Sequence, residues 1–150
     1  MAIKLGLDAK LYIDNQEAYA SPAWNEVTNC KDLTLTLEKN DADVTTRGNN
    51  GWRAIVGVLK DATIEFSMVW DTDDANFQMI RDAFMASANT PVNIAVMDGD
   101  IETSGSEGFR ALCIVTNFTR NEPMEEALTV DVTLRPTYFP ADPPEWLEIA

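Results

Sequence analysis

The sequence predicts a mainly β fold, a β-sandwich or open barrel of about seven or eight mostly antiparallel strands with one flanking amphipathic α-helix at about 73–88. Three observations carry this expectation. Three segments alternate apolar and polar residues with a period of two, two more are β-branched and aromatic without clean alternation, and one segment alone has helical spacing.

Residues 10–13 and 24–28 read as short strands, flanked by the turn formers Asp14-Asn15 and Ser21-Pro22. In 31–38, Leu33, Leu35 and Leu37 alternate with Thr34, Thr36 and Glu38, which gives a strand one apolar face for a core and one polar face for water. The segment 62–70 repeats this, with Ile64, Phe66, Met68 and Trp70 opposing Thr63, Glu65 and Ser67. So does 128–135, where Leu128, Val130, Val132 and Leu134 oppose Thr129, Asp131, Thr133 and Arg135. The segments 92–97 and 109–118 are expected to be central strands buried on both faces.

The period changes after residue 70. Asp71 and Thr72 supply N-cap oxygens, Asp73 and Asp74 suit the positive end of a helix, and Phe77, Ile80, Ala83 and Phe84 form one apolar stripe. Asn89-Thr90-Pro91 ends that helix, since proline biases the residue before it away from α. Two connections are long. Residues 39–52 form an extended arm with a flexible Gly-Asn-Asn-Gly end, and residues 98–108 form a polar loop. The last segment, 136–150, holds prolines at 136, 140, 143 and 144 and then Trp146, so it should be an extended tail that docks on something. The whole is expected to be one domain, 1–150.

Chemistry is mostly excluded. No histidine occurs, which removes the commonest general base and metal ligand and every Ser-His or Cys-His pair. Cys30 and Cys113 are far apart in sequence and read as two buried thiols rather than a disulfide. Asp71, Asp73 and Asp74 fail the calcium-loop pattern, because the sixth position is Asn76 and the twelfth Asp82; Asp98, Asp100 and Glu102 fail at Thr103. Neither glycine-bearing loop, 48–51 or 104–108, carries a phosphate-binding pattern. No catalytic, cofactor or metal site is expected, and an enzyme is the weakest reading. Trp24, Trp52, Trp70 and Trp146 are read as core and interface residues.

The charge is −14, from 25 acids against 11 bases, which excludes tight non-specific nucleic-acid binding and disfavours anionic membranes. There is no leader-like or membrane-spanning apolar run, so synthesis in a cytoplasm without a cleaved leader is expected. The outward Thr, Ser and acid faces of three strands are either solvated or line an aqueous space.

An ordered set of segments is similar to the major tail tube proteins of long-tailed bacteriophages. It includes Trp24-x-x-Val27-Thr28-Asn29-Cys30, Ala42-Asp43-Val44-Thr45-Thr46-Arg47, Gly51-Trp52-Arg53-Ala54, Phe66-x-Met68-Val69-Trp70, Val96-Met97-Asp98-Gly99, Glu122-Pro123-x-Glu125-Glu126 and Pro136-Thr137-Tyr138, and runs from about residue 6 to 146. The resemblance implies a virion protein that forms six-fold rings, stacked into a hollow tube that conducts DNA into the host. Its implied partners are further copies of itself, a tail terminator, distal tail or baseplate proteins and a tape measure protein in the lumen, with assembly in the bacterial cytoplasm. The inner tube of a contractile tail or secretion machine is the alternative; a small-ligand barrel with Trp24 and Trp70 at its mouth is the second.

Within that frame, Val44, Thr45, Thr46, Arg47, Gly48, Asn49, Asn50, Gly51, Trp52, Arg53 and Trp146 are the expected subunit contacts, with Arg and Trp as anchors. Thr34, Thr36, Glu38, Thr63, Glu65 and Ser67 are the candidates for a lumen wall that repels phosphate.

Overall fold

The structure, a computed structural model, describes residues 3, 5–14, 23–86, 91–140 and 142–150. Among them are eight strands: β1 (Lys10–Asp14), β2 (Trp24–Glu26), β3 (Cys30–Asp43), β4 (Ile55–Val69), β5 (Val92–Met97), β6 (Glu107–Asn121), β7 (Thr129–Pro136) and β8 (Glu145–Glu148). One helix, α1 (Ala75–Met85), follows β4. All strand pairs are antiparallel, in the order β2-β1-β5-β6-β7-β4-β3, with β8 added on β6. The expected mainly β architecture with a single flanking helix is borne out.

Long β6 is the pivot of this sheet. Its first half pairs with β5 up to Val92↔Cys113 and with β8 over Glu107–Arg110, while its second half pairs with β7 from Cys113 to Asn121. Between Val115 and Asn117 the register shifts: β6 advances two residues where β7 advances one. Such a bulge bends a strand and increases its twist, so the two ends of the sheet share one core. Leu11, Ile13 and Ile94 from one end pack in the same cluster as Ile64, Phe66, Met68 and Val132 from the other. β5 is buried at every position and the first half of β6 at most, the polar Asn93 and Arg110 included.

The helix closes this core with Phe77 and Ile80, both fully buried. Trp70 meets Phe77 edge-on at 4.9 Å between ring centroids, and Phe118 lies 6.0 Å from Phe77. The helix is shorter than expected. Its N-cap is Asp74, whose carboxylate accepts from the Asn76 N–H, because Asp71 already accepts from the Asp73 N–H in the preceding turn. At the other end Ala86 is extended, so the helix stops before Pro91 can act; residues 87–90 lie outside the described set.

Two strands run further than the alternation predicted. β3 and β4 continue past the core to Asp43↔Ile55 as a protruding hairpin. Lys39↔Lys60 is followed by Asp41↔Gly57, so β4 uses three steps where β3 uses two. This bulge breaks the period of two, which is why the apolar residues of 55–59 did not read as a strand. The Gly-Asn-Asn-Gly end forms a hydrogen-bonded turn: a 3-10 turn (Arg47–Asn49) closed by a Thr46–Asn49 capping box, with Asn50 and Gly51 at positive φ. Near the C-terminus, Glu145–Glu148 docks within the chain as β8.

Candidate functional site

Strand register gathers the polar faces onto one surface. Thr34 lies opposite Glu65, Thr36 opposite Thr63 and Glu38 opposite Asp61; Glu65 then faces Thr133, and Ser67 faces Asp131. All six lumen-wall candidates thus share one face of β3 and β4, which β7 continues. Asn117, Thr119 and Asn121 of β6 extend it to a fourth strand through Asn117↔Thr133, Thr119↔Asp131 and Asn121↔Thr129. The sequence reading missed the β6 contribution, because the bulge at 115–117 hides its alternation.

This face is acidic and internally tied. The Ser67 hydroxyl donates to Asp131 Oδ1 at 2.6 Å and the Asn121 amide donates to Asp131 Oδ2 at 2.8 Å. Those two hydrogen bonds hold the Asp131 carboxyl below the usual carboxylate range. Glu38, Asp61, Glu65 and Asp131 stand against one base, Arg135, which is paired with Asp61. A shallow depression at its centre is lined by Asp32, Thr34, Glu65, Asn117 and Thr133.

The sheet that carries this face has two open sides. Among the described residues, β3 pairs only with β4 and leaves its other edge bare, and β6 beyond Cys113 has no partner on the β5 side. Unpaired edges are templates for another chain, and closure of the sheet removes them.

The arm presents most of the expected contact residues together. Val44 and Trp52 are exposed, Trp52 at 79 %, between exposed Arg47 and Arg53. Thr45 accepts from the Ala54 N–H at 2.8 Å and Thr46 holds the Asn49 side chain, so Thr45, Thr46, Gly48, Asn49, Asn50 and Gly51 shape the tip. Trp146 is elsewhere. Its indole N–H donates to Glu107 at 3.1 Å, and it lines a groove at the base of the arm with Leu37, Ala62, Phe109, Pro136 and Tyr138. The arm also exposes Ile55, Val56, Val58 and Leu59, none of which the sequence reading named as a contact. Their β-branched run was the available signal.

Among the described residues, nothing collects into a catalytic constellation. No group of Cys, Asp or Glu among the described residues is placed to hold a metal. Asp98 and Asp100 accept from the Glu107 and Glu102 N–H groups at 2.9 Å each, so those acids fold their own loop. Trp24 and Trp70 belong to different clusters, Trp24 under Arg110 and Trp70 under Arg120, and so do not share a barrel mouth. Cys30 and Cys113 are both free thiols.

A family model described as phage tail tube protein matches residues 6–137. The chain belongs to the phage tail tube protein family. The resemblance read from the ordered sequence segments is therefore borne out, and the chain is a structural component of a virion tail. Solved structures share the fold of this tail tube protein. A chain from the virion of a native gene transfer agent particle superposes with a TM-score of 0.73 at 15% identity, over 97% of this chain and 99% of that one. The tail of an empty gene transfer agent particle, computed with C6 symmetry, gives 0.72 at 14% identity over 99% and 100%. The SPP1 tail tube gives 0.73 at 12% identity over 99% and 81%. A search of curated protein sequences found no match.

Proposed function

We propose that this tail tube protein closes into six-fold rings that stack into a hollow tube, with the acid and hydroxyl face of β3, β4, β7 and β6 lining the bore. The observation that carries this reading is the pairing of that polar, net acidic face with two open lateral edges on the same four strands. Joining the bare edge of β3 to the bare half of β6 in the next copy continues the ladder and leaves no edge. The C6 symmetry in the description of a like-folded tail supports the number six.

Four strands from each of six copies, spaced about 4.8 Å and tilted about 40°, give a barrel of roughly 48 Å between backbone centres. Subtracting a layer of side chains on each side leaves room for a double helix. A wall with acids in excess repels phosphate and releases no counterions to it, so DNA passes without adhering. The role is mechanical, and the reading assigns no catalytic step. Assembly would take place in the host cytoplasm around a tape measure protein, with a terminator at one end and distal tail proteins at the other.

Replacing Glu65 and Thr36 with lysine tests the wall. Rings and tubes should still form, but should now retain added duplex DNA at low salt and release it steeply as salt rises. Tubes that stay indifferent to DNA with those lysines present would show that this face does not line the bore.

A further inference from the structure

The wall sheet has two unlike ends. β4 alone spans about 45 Å at roughly 3.3 Å per residue, from Ile55 at the arm to Val69, where the next residue, Trp70, donates to the Leu128 carbonyl beside the β6–β7 turn. The arm tip and that turn therefore lie at opposite ends. Residues 44–54 contain Arg47 and Arg53 and no acid, and neither arginine makes an ion pair among the described residues. At the other end, Met124 is fully exposed among Glu122, Glu125 and Glu126. Glu122 is paired with Arg120 at 2.5 Å, which leaves Glu125 and Glu126 facing solvent; Lys31, next to Cys30 opposite Met68, is a base toward that end.

We propose that the arm tip of one copy docks on the β6–β7 turn of a second copy, with Trp52 against Met124 and Arg47 and Arg53 facing Glu125 and Glu126. The distance between the ends prevents the tip from reaching the turn of its own chain, so the occupant is another copy. The groove at the arm's base is a less matched receiver, because Lys39 and Lys60 stand in its lining beside Glu38, Asp61 and Glu145, whereas the exposed residues of the turn, Glu122 to Glu126, include no base. A thioether against an indole and Arg–carboxylate pairs at its rim are mutually suited chemistries. Because the two surfaces differ and lie at opposite ends, the contact is head-to-tail and propagates without limit, which is the geometry of a tube rather than of a closed particle. This rests on the stacked-ring reading and specifies how rings join.

Charge exchange in the full chain tests it. Arg47→Glu/Arg53→Glu and, separately, Glu125→Arg/Glu126→Arg should still yield rings by sedimentation and negative-stain microscopy, with unchanged melting. Each should raise the concentration needed for tubes by at least about tenfold, since six equivalent contacts change at every junction and a total of ~1.4 kcal/mol is already tenfold. The fourfold variant, and an equimolar mixture of the two double variants, should restore tubes. Tubes undiminished in the arm variant, or no recovery in the fourfold variant, would overturn the docking and leave the tube reading standing. A wild-type chain that gives neither rings nor tubes would instead overturn the tube reading.

Discussion

Trp52→Ala separates what folds this chain from what assembles it. Trp52 is 79 % exposed on an arm that lies outside the core cluster, so truncation removes almost no intramolecular packing. The isolated subunit should melt within about 0.5 kcal/mol of wild type, as exposed substitutions do. Assembly is another matter. An aromatic side chain buries up to about 250 Å², so this exposure leaves roughly 200 Å² for a partner to cover, an upper limit of ~5 kcal/mol at 25 cal/mol per Å². Covering half of it is worth ~2.5 kcal/mol, or about 70-fold in affinity per contact, the size of an interfacial hot spot. The assay pairs thermal melting of the monomer with sedimentation and negative-stain counting of tubes across a concentration series. Trp52→Ala should shift the tube threshold and leave the melt in place. Tubes forming at the wild-type threshold would refute the assignment of the arm as a contact, and a large drop in melting temperature would refute the claim that the arm stands apart from the fold.

Phe77→Ala should do the converse, destabilising the monomer by about 3–5 kcal/mol, because a fully buried ring that touches Trp70 and Phe118 leaves a cavity; chemical denaturation measures it. The Asp131 carboxyl is lowered in the folded state by Ser67 and Asn121, so its contribution to stability is present above the unfolded value near pH 3.9 and is lost as pH falls through the lower folded value. Asp131→Asn should accordingly flatten the acid limb of a stability-versus-pH curve between those values. Burial pushes the Cys113 thiol up to about 12, and burial followed by Asp32 pushes Cys30 up to about 11. Neither should react with a thiol reagent at pH 8 until the chain unfolds, which a colorimetric assay with and without denaturant reads directly.

What the sequence made legible follows from where its period was undisturbed. Leu33 to Glu38, Ala62 to Ser67 and Thr129 to Leu134 kept strict alternation, so their polar faces could be assigned before the register brought them together. The β-branched run of β5 matched its bounds because burial on both faces asks for no alternation. The bulges explain the rest. An extra residue between Gly57 and Lys60 shifts the outer half of β4 out of phase, and one between Val115 and Asn117 does the same to the polar end of β6. β8 was hidden differently: four residues after two prolines carry no periodic signal, and its place is set by pairing with Gly108 and Phe109 far back in the chain. The helix start was displaced by one cap because two aspartates competed for one role, and Asp71 closed a turn while Asp74 capped the helix.

Assembly as proposed joins four strands of each copy laterally into one barrel with their acid and hydroxyl face inward. Cryo-electron microscopy of tubes assembled from the purified full chain measures this at once. The expected map has six copies per ring, β3 of one copy hydrogen-bonded to the 114–121 half of β6 in the next, and Thr34, Glu65, Ser67 and Asp131 facing the bore. A map in which that face lies on the outside of the tube, or in which β3 remains unpaired between neighbours, would contradict it.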